Sequence, residues 1–317
     1  MTRVLLTRPL PARVVAAAEA GLEIEVRPST AAMKPAEMRA ALALYDGVLA
    51  TLGDNFDADI FGGGTHRCKV IANYGVGFNH IDAAAARACG ITVTNTPGAV
   101  TDATADIGVT LMLMSARRTG EGERHVRAGA WAGWHPTQMM GLHVTGKTLG
   151  VIGMGRIGQA IARRCHFGFE MPVIYYNRSE KTLDFEARRM DSMEALAAAA
   201  DVVIAAVPGS AETHHLIGRD VFRAMQPHAH FVNVGRGDVV QETALIAALQ
   251  SGQIAGAGLD VYEHEPRVPD ALKALENVVL LPHMGTNALE VREGIGLVAV
   301  DNLKAFFAGE TPPNIVN

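Results

Sequence analysis

Short β-branched runs alternate along this chain with alanine-rich stretches of helical spacing. In the first third the runs are RVLLT (3–7), LEIEV (22–26), GVLAT (47–51), KVIAN (69–73) and ITVTN (91–95). Each is short and flanked by polar or turn residues, which predicts a strand. Between them PARVVAAAEA and HIDAAAARACG predict helices, the second ending at Gly90, a residue suited to the left-handed position after a helix. Residues 101–118, TDATADIGVTLMLMSARR, predict a longer helix capped by Thr101 or Asp102. The segment 119–143 carries weaker helix and strand signal and holds both tryptophans, Trp131 and Trp134. A second alternating series starts at Lys147, with TLGVIG, PVIYYN, DVVIAAV, HFVNVG, IAGAGLDV and NVVLLP as its strands. Residues 287–309 predict a long closing helix. This alternation predicts an α/β protein with two doubly wound parallel-sheet lobes. The expected division is 1–98 with 287–317, the final helix returning to the first lobe, and 99–286 as the second domain.

The strand TLGVIG runs into GMGRIG, residues 153–158, and then into the helical QAIARRC. A G-x-G-x-x-G between a strand and a helix is the dinucleotide fingerprint in its required setting. Gly153 allows the sharp turn, Gly155 the approach of backbone to a pyrophosphate, and Gly158 the close packing of helix on strand. The intervening Arg156 and Ile157 open the helix whose free N–H groups bind the anion. The next strand ends in YYNRS, whose Asn177 lies nineteen positions beyond Gly158, where an acid commonly binds the ribose diol. Here Asn177 removes the charge that would repel a 2′-phosphate, Arg178 offers a planar fork of donors, and Ser179 adds a hydroxyl. NADPH is therefore the expected cofactor, with NADH the alternative if Arg178 is simply a solvated loop residue.

Composition narrows the class. A formal net charge of -5 without a long basic run argues against nucleic acid or an anionic membrane as partner. No stretch approaches the ~20 apolar residues of a membrane span, and MTRVLLTRPL does not read as a signal peptide. Three scattered cysteines, Cys68, Cys89 and Cys165, fit a reducing compartment and argue against a disulfide framework or a zinc site. The expectation is a soluble, cytoplasmic protein without a metal.

Three residues of the second series follow strands: Arg236 in VGRGDVV, Glu265 in YEHEP and His283 in PHMGT. Ligands of open parallel sheets bind beyond the carboxyl ends of strands. Reduction of a 2-keto acid needs a cation to hold the carboxylate and polarise the keto group, a role for Arg236. It also needs a proton donor, a role for His283, since histidine ordinarily titrates near neutral pH. Glu265 would favour the imidazolium and hold the ring. His214, His215, His228 and His230 read as surface or core residues. Any one of the three has an ordinary structural explanation; their joint position at successive strand ends carries the reading.

Over essentially its whole length the chain resembles the D-isomer-specific 2-hydroxyacid dehydrogenases, in NYGVGFNHID, TNTPGAVTDATAD, GKTLGVIGMGRIGQAIARR, VNVGRGDVV, GLDVYEHEP and LLPHMGT. Within that family TDATADIGVTLMLMSARR, GAWAGWHP and YYNRS are most similar to glyoxylate/hydroxypyruvate reductases. The resemblance implies a Rossmann cofactor domain, a flavodoxin-like, discontinuous substrate domain, and an active site in the cleft between them. It places the catalytic set on Arg236, Glu265 and His283. It implies that the backbone of Val76 and Gly77 binds the substrate carboxylate, that Leu52 lines the same pocket, and that Thr104, Val207, Pro208, Val234, Asp260 and Gly285 lie near the cofactor. It also implies a homodimer through roughly 100–143, with Trp134 reaching the partner subunit's site. The expected reaction is reduction of glyoxylate or hydroxypyruvate. Alternatives are an NAD-linked dehydrogenase of another 2-keto acid and a non-catalytic dinucleotide-sensing protein. The regulatory domain of many phosphoglycerate dehydrogenases is not expected here, and Glu265 with His283 argues against formate as substrate.

Overall fold

A computed structural model describes residues 2–62 and 64–317. The chain forms two compact units, Met1–Val100 with Thr286–Asn317, and Thr101–Gly285. In the first, β1 (Arg3–Leu6), β2 (Glu23–Val26), β3 (Gly47–Ala50), β4 (Val70–Asn73) and β5 (Thr92–Thr94) form a parallel sheet of order β2-β1-β3-β4-β5. The central strands β3 and β4 are buried along their whole length, which is why they read as unbroken apolar runs. Edge strand β2 leaves Glu23 and Glu25 exposed. Helices Ala12–Glu19 and Leu289–Phe307 cover one face, where Val14, Ala299, Val300 and Leu303 pack with Val4, Leu6 and Leu49. A Cβ at Gly296 would stand 2.4 Å from Val14, so only glycine lets these helices meet. Helices Pro35–Leu44, Ala58–Phe61 and Ala83–Ala88 supply Leu42, Ile60 and Ala86 to the core on the other face.

The second unit holds β6 (Leu149–Ile152), β7 (Val173–Tyr176), β8 (Ala187–Arg189), β9 (Val202–Ala205), β10 (His230–Asn233), β11 (Gly256–Leu259) and β12 (Val278–Leu280). All pairings are parallel and the order is β8-β7-β6-β9-β10-β11-β12. The order reverses between β6 and β9, the switch point where doubly wound sheets bind ligands. Helices Thr101–Ala116 and Arg156–Phe169 bring Leu111, Met112, Ile161 and Cys165 to one face. Helices Met193–Ala199, Arg219–Ala224 and Glu242–Gln250 bring Leu196, Phe222 and Leu245 to the other. The three cysteines are free, and burial pushes the Cys68 and Cys165 thiols up to about 12.

Among the described residues, eleven of the twelve strands lie within the runs named above. The exception is β8, whose sequence ARR is polar and largely exposed at the sheet edge, so no apolar pattern marks it. The segment 119–143 contains a helix, Thr119–Arg127, that its polar sequence TGEGERHVR hid; among its residues none is buried. Neither Thr101 nor Asp102 precedes the helix as a cap; both lie in its first turn, and Asp102 pairs with Arg164 at 2.9 Å. The helix expected over 80–90 begins only at Ala83, because Asp82 accepts the Ala85 N–H. Gly90 follows that helix with φ 72°, the left-handed conformation anticipated for it.

Candidate active site

The turn after β6 has the close contacts that a dinucleotide loop requires. Gly153 has φ 95°, and a Cβ there would stand 2.8 Å from the carbonyl of Ala206, beyond β9. A Cβ on Gly158 would stand 2.1 Å from the carbonyl oxygen of Gly153, so helix and turn touch backbone to backbone. Gly155, the N-cap residue of helix Arg156–Phe169, faces open space: a Cβ there meets nothing within 4 Å. Tight support beneath and free room above is what a backbone cradle for pyrophosphate needs. Arg156 is exposed and Ile157 half-buried at the start of this helix. Val207 and Val234 are buried after β9 and β10, and Pro208 is exposed, its carbonyl accepting the Thr213 hydroxyl at 2.8 Å.

At the end of β7, Asn177 links the two turns. Its Oδ1 accepts the Met154 N–H at 3.2 Å, and its Nδ2 donates to the Ser179 carbonyl at 2.8 Å. The Arg178 side chain is 87% exposed and pairs with the equally open Glu212 at 3.2 Å, a contact that solvent screens to little. Beneath it Arg189, on β8, donates to the carbonyls of Asn177 (3.3 and 3.2 Å) and Arg178 (3.2 Å). This second guanidinium at the YYNRS turn was not anticipated. Its strand carries no sequence signal, and only the pairing of β8 with β7 brings it there.

The residues after β10, β11 and β12 form one connected group. Asn233 accepts the Gly235 N–H and donates to the Arg236 carbonyl, both at 3.0 Å, which fixes the loop bearing Arg236. Gly237 must be glycine, since a Cβ would fall 1.8 Å from the carbonyl carbon of Tyr262. That contact presses the Arg236 loop onto YEHEP. Burial lowers the affinity of Arg236 for its proton, opposed by the charges of Glu265 and Asp238. Glu265 Oε1 accepts the Tyr262 N–H at 3.1 Å and Oε2 meets His283 Nδ1 at 2.8 Å. Burial works against the Glu265 carboxylate, but the bond and charge of His283, helped by Tyr262 and Arg236, hold it below the usual range.

His283 adopts φ 54°, unusual for a residue with a side chain. Its N–H donates to the Asp260 carbonyl at 2.9 Å, and the buried Asp260 carboxylate takes the N–H groups of Met284 (2.6 Å) and Gly285 (2.9 Å). Burial pushes the Asp260 carboxyl up, against those bonds and the His283 charge. Thr104, also buried, donates to the Gly285 carbonyl at 3.3 Å. Asp260 thus ties down the turn that presents the imidazole, more than the nearness to cofactor implied by the resemblance. Of the other histidines, His215 bonds Glu263 at 2.7 Å, His228 bonds Asp201 at 2.5 Å, and His230 is a buried partner of Ser115.

In the first unit, Val76 and Gly77 are half-buried in the loop after β4. Leu52 is exposed beside the buried Asp54, which accepts the Thr7 hydroxyl at 2.6 Å and the Met33 N–H at 3.0 Å. Trp134 is 79% exposed on the segment after helix Thr119–Arg127. A cavity of about 420 Å³ opens elsewhere, at the amino-terminal ends of β10–β12, lined by Ser115, His228, His230 and Asn277. It contains none of the residues that carry the chemistry above. Among the described residues no group of acids, histidines and cysteines is arranged for a metal, and no helix is long and apolar enough to cross a membrane.

Residues 109–285 match the family model of the D-isomer specific 2-hydroxyacid dehydrogenase NAD binding domain. A glyoxylate reductase of Thermococcus kodakarensis is 41% identical over 324 residues, spanning 99% of this chain and 96% of the relative. A glyoxylate reductase of Korarchaeum cryptofilum is 42% identical over 320 residues, with the same coverage of 99% and 96%. Among solved structures, the NADPH-dependent glyoxylate/hydroxypyruvate reductase of Sinorhizobium meliloti, in complex with NADP and malonate, is similar with a TM-score of 0.88. It is 34% identical and covers 99% of this chain and 96% of its own.

Proposed function

Because this chain belongs to the D-isomer specific 2-hydroxyacid dehydrogenase family, we propose that it reduces small 2-keto acids, glyoxylate and hydroxypyruvate, to the 2-hydroxy acids with NADPH. The observation that carries the reading is the His283–Glu265 pair at 2.8 Å, in the same unit as the Gly153–Gly158 turn. The bound nicotinamide supplies the hydride. Gly153, Gly155, Arg156, Ile157 and Gly158 hold the pyrophosphate, and Asn177, Arg178 and Ser179 receive the 2′-phosphate. Thr104, Val207, Pro208, Val234, Asp260 and Gly285 line the cofactor.

Arg236 holds the substrate carboxylate and draws electron density toward the keto oxygen. His283, with Nδ1 engaged by Glu265, gives the proton on Nε2 to that oxygen as it gains charge. One keto acid, one NADPH and one proton yield the hydroxy acid and NADP⁺. The backbone N–H groups of Val76 and Gly77 bind the carboxylate, with Leu52 in the same pocket. The protein works in the cytoplasm as a homodimer built on the cofactor domain, and the exposed Trp134 serves the partner's site.

Initial rates with glyoxylate and hydroxypyruvate, each with NADPH and NADH, test this. Faster NADPH oxidation supports the whole reading. Equal or faster use of NADH refutes the phosphate site and leaves the catalytic set in place. Such an outcome would accord with the 87% exposure of the Arg178 side chain, that of a solvated loop residue. An NAD-linked reductase of the same 2-keto acids would then be the better description, and turnover only with other 2-keto acids would point to an NAD-linked dehydrogenase of another substrate.

A further inference from the structure

The loop after β4 turns three successive carbonyls toward two asparagines. Asn73 Nδ2 donates to the oxygens of Gly75 (2.8 Å) and Gly77 (3.0 Å). Asn95 Nδ2 donates to the oxygen of Val76 at 2.8 Å, and the Thr96 N–H donates to Gly75 at 3.1 Å. In a planar trans peptide the C=O and the N–H point in opposite directions. Holding the carbonyls of Gly75 and Val76 against these donors therefore turns the N–H groups of Val76 and Gly77 the other way.

Asn95 is itself anchored. Its N–H donates to the Asn314 carbonyl (3.0 Å), and its carbonyl accepts Nδ2 of the buried Asn302 (3.0 Å). Asn302 Oδ1 in turn accepts Nδ2 of Asn314 (3.2 Å). The bridge of Ile315 to Thr94 seats the same C-terminal segment on β5.

We infer that Asn73 and Asn95 are positioning residues for the substrate carboxylate, fixing two neighbouring peptide N–H groups to receive it, and that Asn302 and Asn314 extend this support from the C-terminal segment. The inference rests on the proposed binding of the carboxylate by Val76 and Gly77. Both positions require a donor: the Asn73 nitrogen lies between two carbonyl oxygens, where a carboxylate would be repelled.

The test compares steady-state kinetics of the wild-type chain with Asn73→Ala, Asn95→Ala and the milder Asn314→Ala. The expected result for Asn95→Ala is a KM for glyoxylate raised about tenfold, from the loss of one ordering hydrogen bond. The KM for NADPH should stay within about twofold, because its proposed residues, Thr104 to Gly285, belong to the other compact unit and share no hydrogen bond with Asn95. Asn314→Ala should raise the glyoxylate KM by about threefold, and it serves if the other two fail to fold. Variants that melt at lower temperature with an unchanged glyoxylate KM would reduce the asparagines to fold support and overturn the inference. So would a parallel rise of both KM values. A wild type inactive on every 2-keto acid would refute the proposed reaction instead. The amide resonances of Val76 and Gly77 would then be followed on adding glycolate. Shifts in the wild type that the variants lose keep the inference, and no shift in the wild type ends it.

Discussion

Two glycines three residues apart should fail in different ways when a methyl group is added. At Gly158 the new Cβ would stand 2.1 Å from the Gly153 oxygen. A tolerable carbon–oxygen approach is about 3.3 Å, so helix Arg156–Phe169 must withdraw by about 1 Å. Overpacking of that kind costs about 1–3 kcal/mol, and a displacement of about 1 Å at a binding site costs on the order of a hundredfold in rate. Gly158→Ala should therefore lower the melting temperature by roughly 5 °C and the NADPH affinity together. At Gly155 the Cβ meets nothing within 4 Å. Gly155→Ala should leave the melting temperature within about 1 °C yet weaken NADPH by at least about tenfold, because the methyl takes the room a phosphate needs. Gly168→Ala, exposed in the same helix with open space around it, controls for glycine replacement and should stabilise by about 0.5 kcal/mol. Fluorescence titration with NADPH and thermal melts of the three variants decide the matter. Normal NADPH binding by Gly155→Ala would refute the placement of the pyrophosphate at this turn.

Other consequences follow from the same geometry. Burial, reinforced by the charge of His228, lowers the His230 pKa from 6.5 to about 4. A depressed pKa contributes stability that is present above 6.5 and lost as pH falls through 4. Wild type should thus lose roughly 3 kcal/mol more over that window than His230→Leu, whose denaturation midpoints should depend less on pH. His283→Asn should lower kcat by about 10²–10⁴-fold with the glyoxylate KM little changed; a kcat within threefold of wild type would remove the imidazole from the chemistry. Arg178→Ala should raise the KM for NADPH while leaving that for NADH alone, and an unchanged preference would refute the phosphate site. Arg189→Met should act in the same direction through the Asn177 and Arg178 carbonyls it now braces, so equal loss with both cofactors would make it a fold residue only.

The architecture was legible in the sequence because a parallel sheet covered on both faces demands apolar β-branched runs, as in VVIA of β9 and VIAN of β4. The glycine turn was legible because backbone contacts such as Gly158 on Gly153 admit no side chain. Elements that bury little escaped: β8 is polar and mostly exposed at an edge, and helix Thr119–Arg127 carries no buried residue. Periodicity records burial, so where burial is absent the pattern is silent. The sequence could nominate Arg236, Glu265 and His283 one strand end at a time. Their assembly was decided by strand order, by the press of Gly237 on Tyr262, and by the hold of Asp260 on the His283 turn. Asn95 and Asn302 lie more than two hundred residues apart, and Arg189 reaches the YYNRS turn only through the pairing of β8. Hydrogen bonds act over about 3 Å, so a polar residue's partner is set by where the fold delivers it, and a linear pattern carries no record of that distance.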